Sequence, residues 1–185
     1  MNNREKLVKL IKDKSFKQTN QPSFVLTSGK KSKYYFNMKN SIYTPEGLFI
    51  TGFEIYNKIQ ELNLKPKAIG GLTLGADPIA FATAFASFTK NNPIEAFVVR
   101  KEPKGHGLGL QIEGNVSQED LVIIIDDVVT TGSSTIKAIK IAQNHGLKIL
   151  CAIALLDRCE ENGRENIESL GINFFSILTI NDFLS

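Results

Sequence analysis

The chain has 185 residues, 42% of them hydrophobic, enough to bury a sizeable core in one domain and too many for a disordered protein. Its 22 Lys and Arg against 19 Asp and Glu leave a net charge of +3, too small a surplus to argue for nucleic acid, and its apolar runs fall far short of the roughly 18 residues that a membrane span needs. Two cysteines, Cys151 inside an apolar run and Cys159 just past it, read as a buried and a surface thiol without metal-ligand spacing; with no hydrophobic segment behind Met1, the expectation is a cytoplasmic protein.

Residues 4–14 place Leu7, Leu10 and Ile11 on one face and Lys6, Lys9 and Lys12 elsewhere, which predicts an amphipathic helix packed on the main body. Residues 24–26 and 34–36 predict two short strands of a hairpin-like flap around a basic turn at 27–33. Gly29-Lys30 is not a Walker phosphate loop, because position 24, where that motif carries a glycine, is Phe. Thr44-Pro45-Glu46 supplies a cap, a first-turn proline and an acid, and so predicts a helix to about Leu62 that buries Phe49, Phe53, Tyr56 and Ile59. Residues 67–71 predict a short central strand. Asp77-Pro78 predicts the cap of a helix over 79–88 that is apolar on all sides and therefore sandwiched. The glycines before it either permit a tight turn or let backbone amides approach a phosphate.

Residues 94–99 form the next strand. Behind it come Arg100, Lys101, Lys104 and His106, with glycines at 105, 107 and 109 that forbid a stable helix, and no periodicity follows to 115; the expectation is a mobile loop. Alone it reads as a solvated basic loop, but a loop leaving a strand's carboxyl end opens on the side where open α/β sheets place ligands. The run Gly105-His106-Gly107-Leu108-Gly109-Leu110 is not a dinucleotide fingerprint, since its sixth position is Leu and no helix follows.

The stretch from Leu121 organises the rest. Five branched apolar residues without alternation predict a strand buried on both faces, and Asp126-Asp127 ends it. Val128, Val129, Thr130, Thr131, Gly132, Ser133 and Ser134 then lead into a helical pattern that stops at His145-Gly146. A single aspartate before Thr-Gly would read as a helix cap. A doublet beside a Thr/Gly/Ser turn at a helix N-terminus points to a sugar phosphate, with carboxylates accepting from vicinal hydroxyls and the turn cradling a phosphomonoester. A buried strand over 148–156 ends in Asp157-Arg158, and helix, strand and short helix follow at 161–170, 172–177 and 181–184. Strands alternating with helices at this spacing predict an α/β fold, a mainly parallel sheet of about five strands with helices on both faces.

The strand, acid pair and turn together resemble the ribose-phosphate signature of type I phosphoribosyltransferases. With residues 24–36, 70–78, 100–107 and Asp157-Arg158 added, most of the chain resembles the orotate phosphoribosyltransferase family. That resemblance implies one phosphoribosyltransferase domain over 1–185, with residues 1–40 as an N-terminal helix and flap forming a small hood on the core. It implies transfer of ribose 5-phosphate from phosphoribosyl diphosphate (PRPP) to orotate in pyrimidine biosynthesis. It also implies Mg2+ carried mainly by PRPP and water rather than by protein ligands, and a homodimer with shared active sites.

Carried over by residue, Asp126 to Ser134 would bind the ribose and its phosphate, and Arg100, Lys101, Lys104 and His106 the pyrophosphate. Arg158 would clamp the orotate carboxylate, with Thr130, Tyr35 and Phe36 around the pyrimidine. Asp126, Asp127, Lys104 and His106 would be catalytic, Lys104 in the other subunit's site and His106 as proton carrier or hydrogen-bond donor. The chemistry agrees, since oxocarbenium character on the ribose calls for nearby acids and a departing diphosphate for cations. Two positions depart from relatives that carry lysine there: Thr27, whose contact would be lost or supplied by Lys30, Lys31 or Lys33, and Leu74-Gly75-Ala76, left to backbone amides. The rival readings are a phosphoribosyltransferase for another base, against which Arg158 and the flap argue, and a PRPP-sensing regulator that binds nucleic acid, against which the small net charge argues.

Overall fold

The structure, a computed structural model, describes residues 1–25, 29–103 and 111–184. Helix α1 (Asn3–Lys14) starts on a capping box, Asn2 Oδ1 accepting from the Glu5 N–H at 2.8 Å and Glu5 Oε2 from the Asn2 N–H at 2.9 Å, and buries Leu7, Leu10 and Ile11 as their spacing predicts. Strands β1 (Phe16–Gln18), β2 (Phe24–Val25), β3 (Lys31–Ser32) and β4 (Tyr34–Phe36) follow. They form two antiparallel ribbons, β1 with β4 and β2 with β3. The hairpin expected between 24–26 and 34–36 does not form. Phe36 instead joins Phe16 at 4.9 Å between ring centres and Phe183 at 5.1 Å, an apolar anchor that exposed Val25 does not offer. Ribbons this small are marginal alone and depend on such packing.

After α2 (Lys39–Ile42), α3 (Pro45–Glu61) begins where the cap signal places it, Thr44 Oγ1 accepting from the Gly47 N–H at 3.0 Å. The remaining elements are β5 (Ala68–Leu72), α4 (Ala76–Thr89), β6 (Glu95–Val99), β7 (Ile112–Gly114), β8 (Leu121–Val129), α5 (Ser133–Asn144), β9 (Lys148–Asp157), α6 (Gly163–Glu168), β10 (Phe174–Thr179) and a 3-10 turn (Ile180–Phe183). Among the described residues the main sheet has six strands in the order β10-β9-β8-β5-β6-β7, all parallel except the edge strand β7. The sixth strand, β7, lies in the stretch read from the sequence as loop; at three residues it is too short to show a period.

Strand alternation builds two cores. Ile123 and Ile125 join Ile69, Ile153 and Leu155 on the face covered by α1, α3 and α4, while Val122 and Ile124 join Ala152 and Ala154 on the face covered by α5 and α6. Each of these four β8 side chains is fully buried, worth about 1.5–3 kcal/mol apiece relative to exposure. The chain leaves β5 toward β6 on one side and, after β7, resumes with β8 on the other, so β5 and β8 flank the topological switch. Their ladder ends at Gly70 and Ile124 although both strands run on, which opens a crevice at their carboxyl ends.

Two expected burials are corrected. Helix α3 buries Ile50, Ile55, Tyr56 and Ile59, but Phe49 is 57% exposed and Phe53 only partly buried. Helix α4 is not sandwiched: Ile79, Ala80 and Thr83 face inward while Phe81, Phe85 and Phe88 stand in solvent. The reason is a close approach at Gly52, where a Cβ would meet the Ala82 carbonyl oxygen of α4. Small residues at the crossing bring the helices together there and leave the phenylalanines beside it uncovered. Nor does Asp77 cap α4; Gly75 holds the cap position and Asp77 lies inside the first turn. Gly70 and Gly71 sit within β5 rather than in a turn, where a side chain would collide with the carbonyls of Phe97 and Ile125. No helix among the described residues is long and apolar enough to cross a membrane.

Candidate active site

The acid pair lies at the carboxyl end of β8, where the apolar run predicts it, although the strand continues through it to Val129. The two-residue period sends the two carboxylates to opposite faces. Asp126 follows Val122 and Ile124 toward α5, where Thr135 Oγ1 donates to Asp126 Oδ2 at 2.7 Å and the Asp127 N–H donates to Asp126 Oδ1 at 3.0 Å. Asp127 turns toward the start of α4: a Cβ built on Gly75 would stand 2.6 Å from Asp127 Oδ1, which also accepts from the Val128 N–H at 2.9 Å. Asp126 is 5% exposed, and burial followed by the neighbouring carboxylate pushes its pKa up to about 7. Asp127 is raised as well, chiefly by burial, against which the Val128 N–H and the Lys39 charge act. Neither aspartate caps α5, which has the left-handed Gly132 at its N-cap.

Beyond the acids, Asp126, Val128, Thr130, Thr131, Gly132, Ser133 and Ser134 line a polar cavity of about 70 Å³. Gly132 is required by its φ of 76°, a conformation costly for residues with a Cβ. Thr131 Oγ1 donates to Ser133 Oγ at 3.1 Å and accepts from the Ser133 N–H at 3.3 Å, and Asn166 Nδ2 ties the Thr131 carbonyl to α6 at 3.0 Å. The helix end therefore offers amides and hydroxyls at a fixed turn, the setting that suits a phosphate. On the opposite wall, Thr73 Oγ1 donates to Asp77 Oδ2 at 2.6 Å and the Thr73 N–H to the Val99 carbonyl at 2.9 Å, so the loop ahead of α4 is tied to β6.

Arg100 follows β6 on the same side of the sheet, its guanidinium 3.5 Å from Glu113 on β7, and Lys101 is exposed beside it. Lys104 and His106 lie outside the described residues, as does Thr27. Arg158 follows β9 and is only 4% exposed. Its Nη2 contacts Ser32 Oγ at 3.0 Å, the Tyr34 carbonyl at 3.2 Å and Glu160 Oε2 at 2.9 Å, and its charge stands 5.9 Å from the Phe36 ring centre. Burial lowers its pKa while Glu160 raises it. Phe36 is thus brought to Arg158, whereas Tyr35 points to the other side of β4 and stacks on Phe24 at 5.4 Å. Sequence reasoning did not find Ser32, Glu160, Thr73 or the roles of Thr135 and Asp77. Only Thr135 had a readable signal, a hydroxyl one turn inside the helix that follows the acids.

No group of three or more His, Cys, Asp or Glu among the described residues is placed to hold a metal ion. A parallel sheet with an acid pair at its switch point, facing a Thr/Gly/Ser turn that starts a helix, defines a type I phosphoribosyltransferase. Comparisons carry this further. The chain matches no family model. It is 50% identical to the orotate phosphoribosyltransferase of Aquifex aeolicus over 98% of this chain and 97% of that one. Among solved structures it is similar to Mycobacterium tuberculosis orotate phosphoribosyltransferase in complex with Fe(III) dicitrate, with TM-score 0.85, 29% identity and full coverage of both chains. It is also similar to the PRPP complex of the M. tuberculosis enzyme, with TM-score 0.78 and 25% identity over 98% of this chain and 91% of that one. The chain belongs to the orotate phosphoribosyltransferase family.

Proposed function

We propose that this enzyme transfers ribose 5-phosphate from PRPP to orotate, giving orotidine 5'-monophosphate and pyrophosphate. The observation that carries the reading is the placing of the Asp126–Ser134 turn and a buried arginine at the carboxyl ends of two adjacent strands, β8 and β9. The turn suits a ribose phosphate. The arginine suits a planar carboxylate, which orotate has and adenine, hypoxanthine and uracil lack. As the anomeric bond breaks, the acid pair at the mouth of β8 stands beside the ribose, while Arg100 and Lys101, together with Lys104 and His106 by family resemblance, take the charge gathering on the diphosphate.

In this reading Mg2+ would be carried by PRPP oxygens and water, as the family resemblance implies. When bound, it neutralises the leaving diphosphate. The test is consumption of labelled orotate with PRPP and Mg2+; turnover of adenine, hypoxanthine or uracil in its place would overturn the assignment of the base.

The loop ahead of α4 bears on the same chemistry. Gly75→Ala puts a methyl group within 2.6 Å of Asp127 Oδ1, so that the carboxylate or the loop must move. The expected result is a fall in kcat/KM for PRPP of at least about tenfold, since misplacement by about an ångström is enough for that. The thermal midpoint should change little, because the site lies at the crevice and not in the core. Unchanged kcat/KM would remove Gly75 from the argument.

In this reading the enzyme is a homodimer, with Lys104 of one subunit serving the site of the other. What supports it is the uncovered aromatic face of α3 and α4, an apolar groove of about 580 Å³ lined by Phe49, Phe53, Phe81 and Phe85 among others. An apolar face of this kind suits an isologous contact with a second copy. Phe85→Asp is expected to convert a dimer to a monomer by light scattering; a dimer that persists would place the interface elsewhere. The reading also places the enzyme in the cytoplasm, where the free thiols of Cys151 and Cys159 would stay reduced.

A further inference from the structure

Arg158 raises a question of aim. A charge-assisted grip on a carboxylate needs a guanidinium N–H that is free and fixed in direction. Three oxygens crowd Nη2: Ser32 Oγ at 3.0 Å, the Tyr34 carbonyl at 3.2 Å and Glu160 Oε2 at 2.9 Å. Glu160 Oε2 is close enough for an ion pair but is out of line for a hydrogen bond. The two hydrogens of Nη2 therefore go to Ser32 and Tyr34, both on the flap. Nε, by contrast, is buried and has no hydrogen-bond partner among the described residues. An unpaired buried donor is costly, so this N–H is where an incoming carboxylate gains most.

Ser32 is built for this contact. It is buried on β3, and its Oγ accepts from the Tyr34 N–H at 3.1 Å as well as from Arg158, so one hydroxyl links the flap backbone to the guanidinium. Glu160, if unopposed, draws the guanidinium away from the flap, toward the segment where Cys159, Glu161 and Asn162 all have positive φ.

We propose that Ser32 is a positioning residue for carboxylate recognition: it holds Arg158 Nη2 from the flap side and thereby presents the Nε–H to the substrate's carboxylate. The proposal rests on the reading that Arg158 grips orotate. In Ser32→Ala, the KM for orotate is expected to rise on the order of tenfold, the scale of one hydrogen bond to a charged group. The KM for PRPP and kcat at saturating orotate should stay within about twofold. A pyrimidine without a carboxylate, uracil, used as a competitive inhibitor, should bind wild type and variant equally, because Arg158 does not touch it. Ser32→Thr, which keeps the oxygen, should recover most of the orotate affinity.

An orotate KM within twofold of wild type in Ser32→Ala, an equal loss for uracil, or a Thr variant as impaired as Ala would overturn the role of Ser32. Wild-type enzyme that consumes no orotate would instead overturn the underlying assignment, and the proposal with it.

Discussion

Arg158→Ala is expected to raise the KM for orotate on the order of a hundredfold while the KM for PRPP stays near wild type, because a buried charge-assisted pair is worth about 2–4 kcal/mol. The same substitution should lower stability. Ser32 Oγ, the Tyr34 carbonyl and Glu160 all lose their partner, and Glu160 becomes a half-buried charge with nothing opposite it. The two effects can be separated. Arg158→Ala with Glu160→Gln removes the stranded charge, so part of the thermal midpoint should return while orotate binding should not. If both recover together, Arg158 holds the flap and does not grip the substrate; if the orotate KM of the single variant stays at the wild-type value, the clamp is wrong outright. By comparison, the nearby Lys30–Glu161 pair at 2.8 Å joins a largely exposed lysine to the same loop and is worth at most about 1 kcal/mol.

Asp126→Asn is expected to lower kcat/KM by two to three orders of magnitude, the usual scale for losing one preorganised electrostatic group at a reacting centre. An amide presents a donor where ribose hydroxyls need an acceptor. Stability should move the other way, and with a definite pH dependence. The Asp126 carboxyl titrates at about 7 in the fold against an ordinary value of 3.8, so the folded chain binds this proton more tightly than the unfolded chain does. Its favourable contribution is complete below about pH 4, is lost as pH rises through 7, and stays lost above that. Asparagine carries no charge at any pH. The difference in thermal midpoint, variant minus wild type, should therefore be larger at pH 8 than at pH 4.5. A difference that is flat across that range would show that the burial cost has been met by Thr135 and the Asp127 N–H.

These two residues also show where sequence was informative. Asp126 was legible because it ends an unbroken apolar run, and a carboxylate there has only the strand's mouth to occupy. Its partner at 127 was legible as an acid but not in its direction. That follows from the pleat, which sends it to the α4 side, and from Gly75, which lies 52 residues earlier and leaves it room. Arg158 was placed at a strand end by the same logic, yet its burial and its three oxygen neighbours come from elements distant in sequence, β3 and β4 among them.

What the sequence by itself determined is the alternation of the longer strands and helices from α3 onward, without the three-residue β7, together with the cap at Thr44, the two-sided burial of β8 and the turn Thr130 to Ser134, all set by local periodicity and by residues acting on their immediate neighbours. Only the tertiary structure decided which apolar surfaces are covered and which strands pair. Phe49 and Phe85 have the same hydrophobicity as the buried Phe97 and Phe183, and nothing local distinguishes them. Tyr34–Phe36 has the same strand propensity whether it meets β2 or β1, and the Phe16–Phe36–Phe183 cluster settles the choice. Burial and pairing depend on what the rest of the chain brings up against a segment, and that is a property of the whole packing rather than of any window of residues.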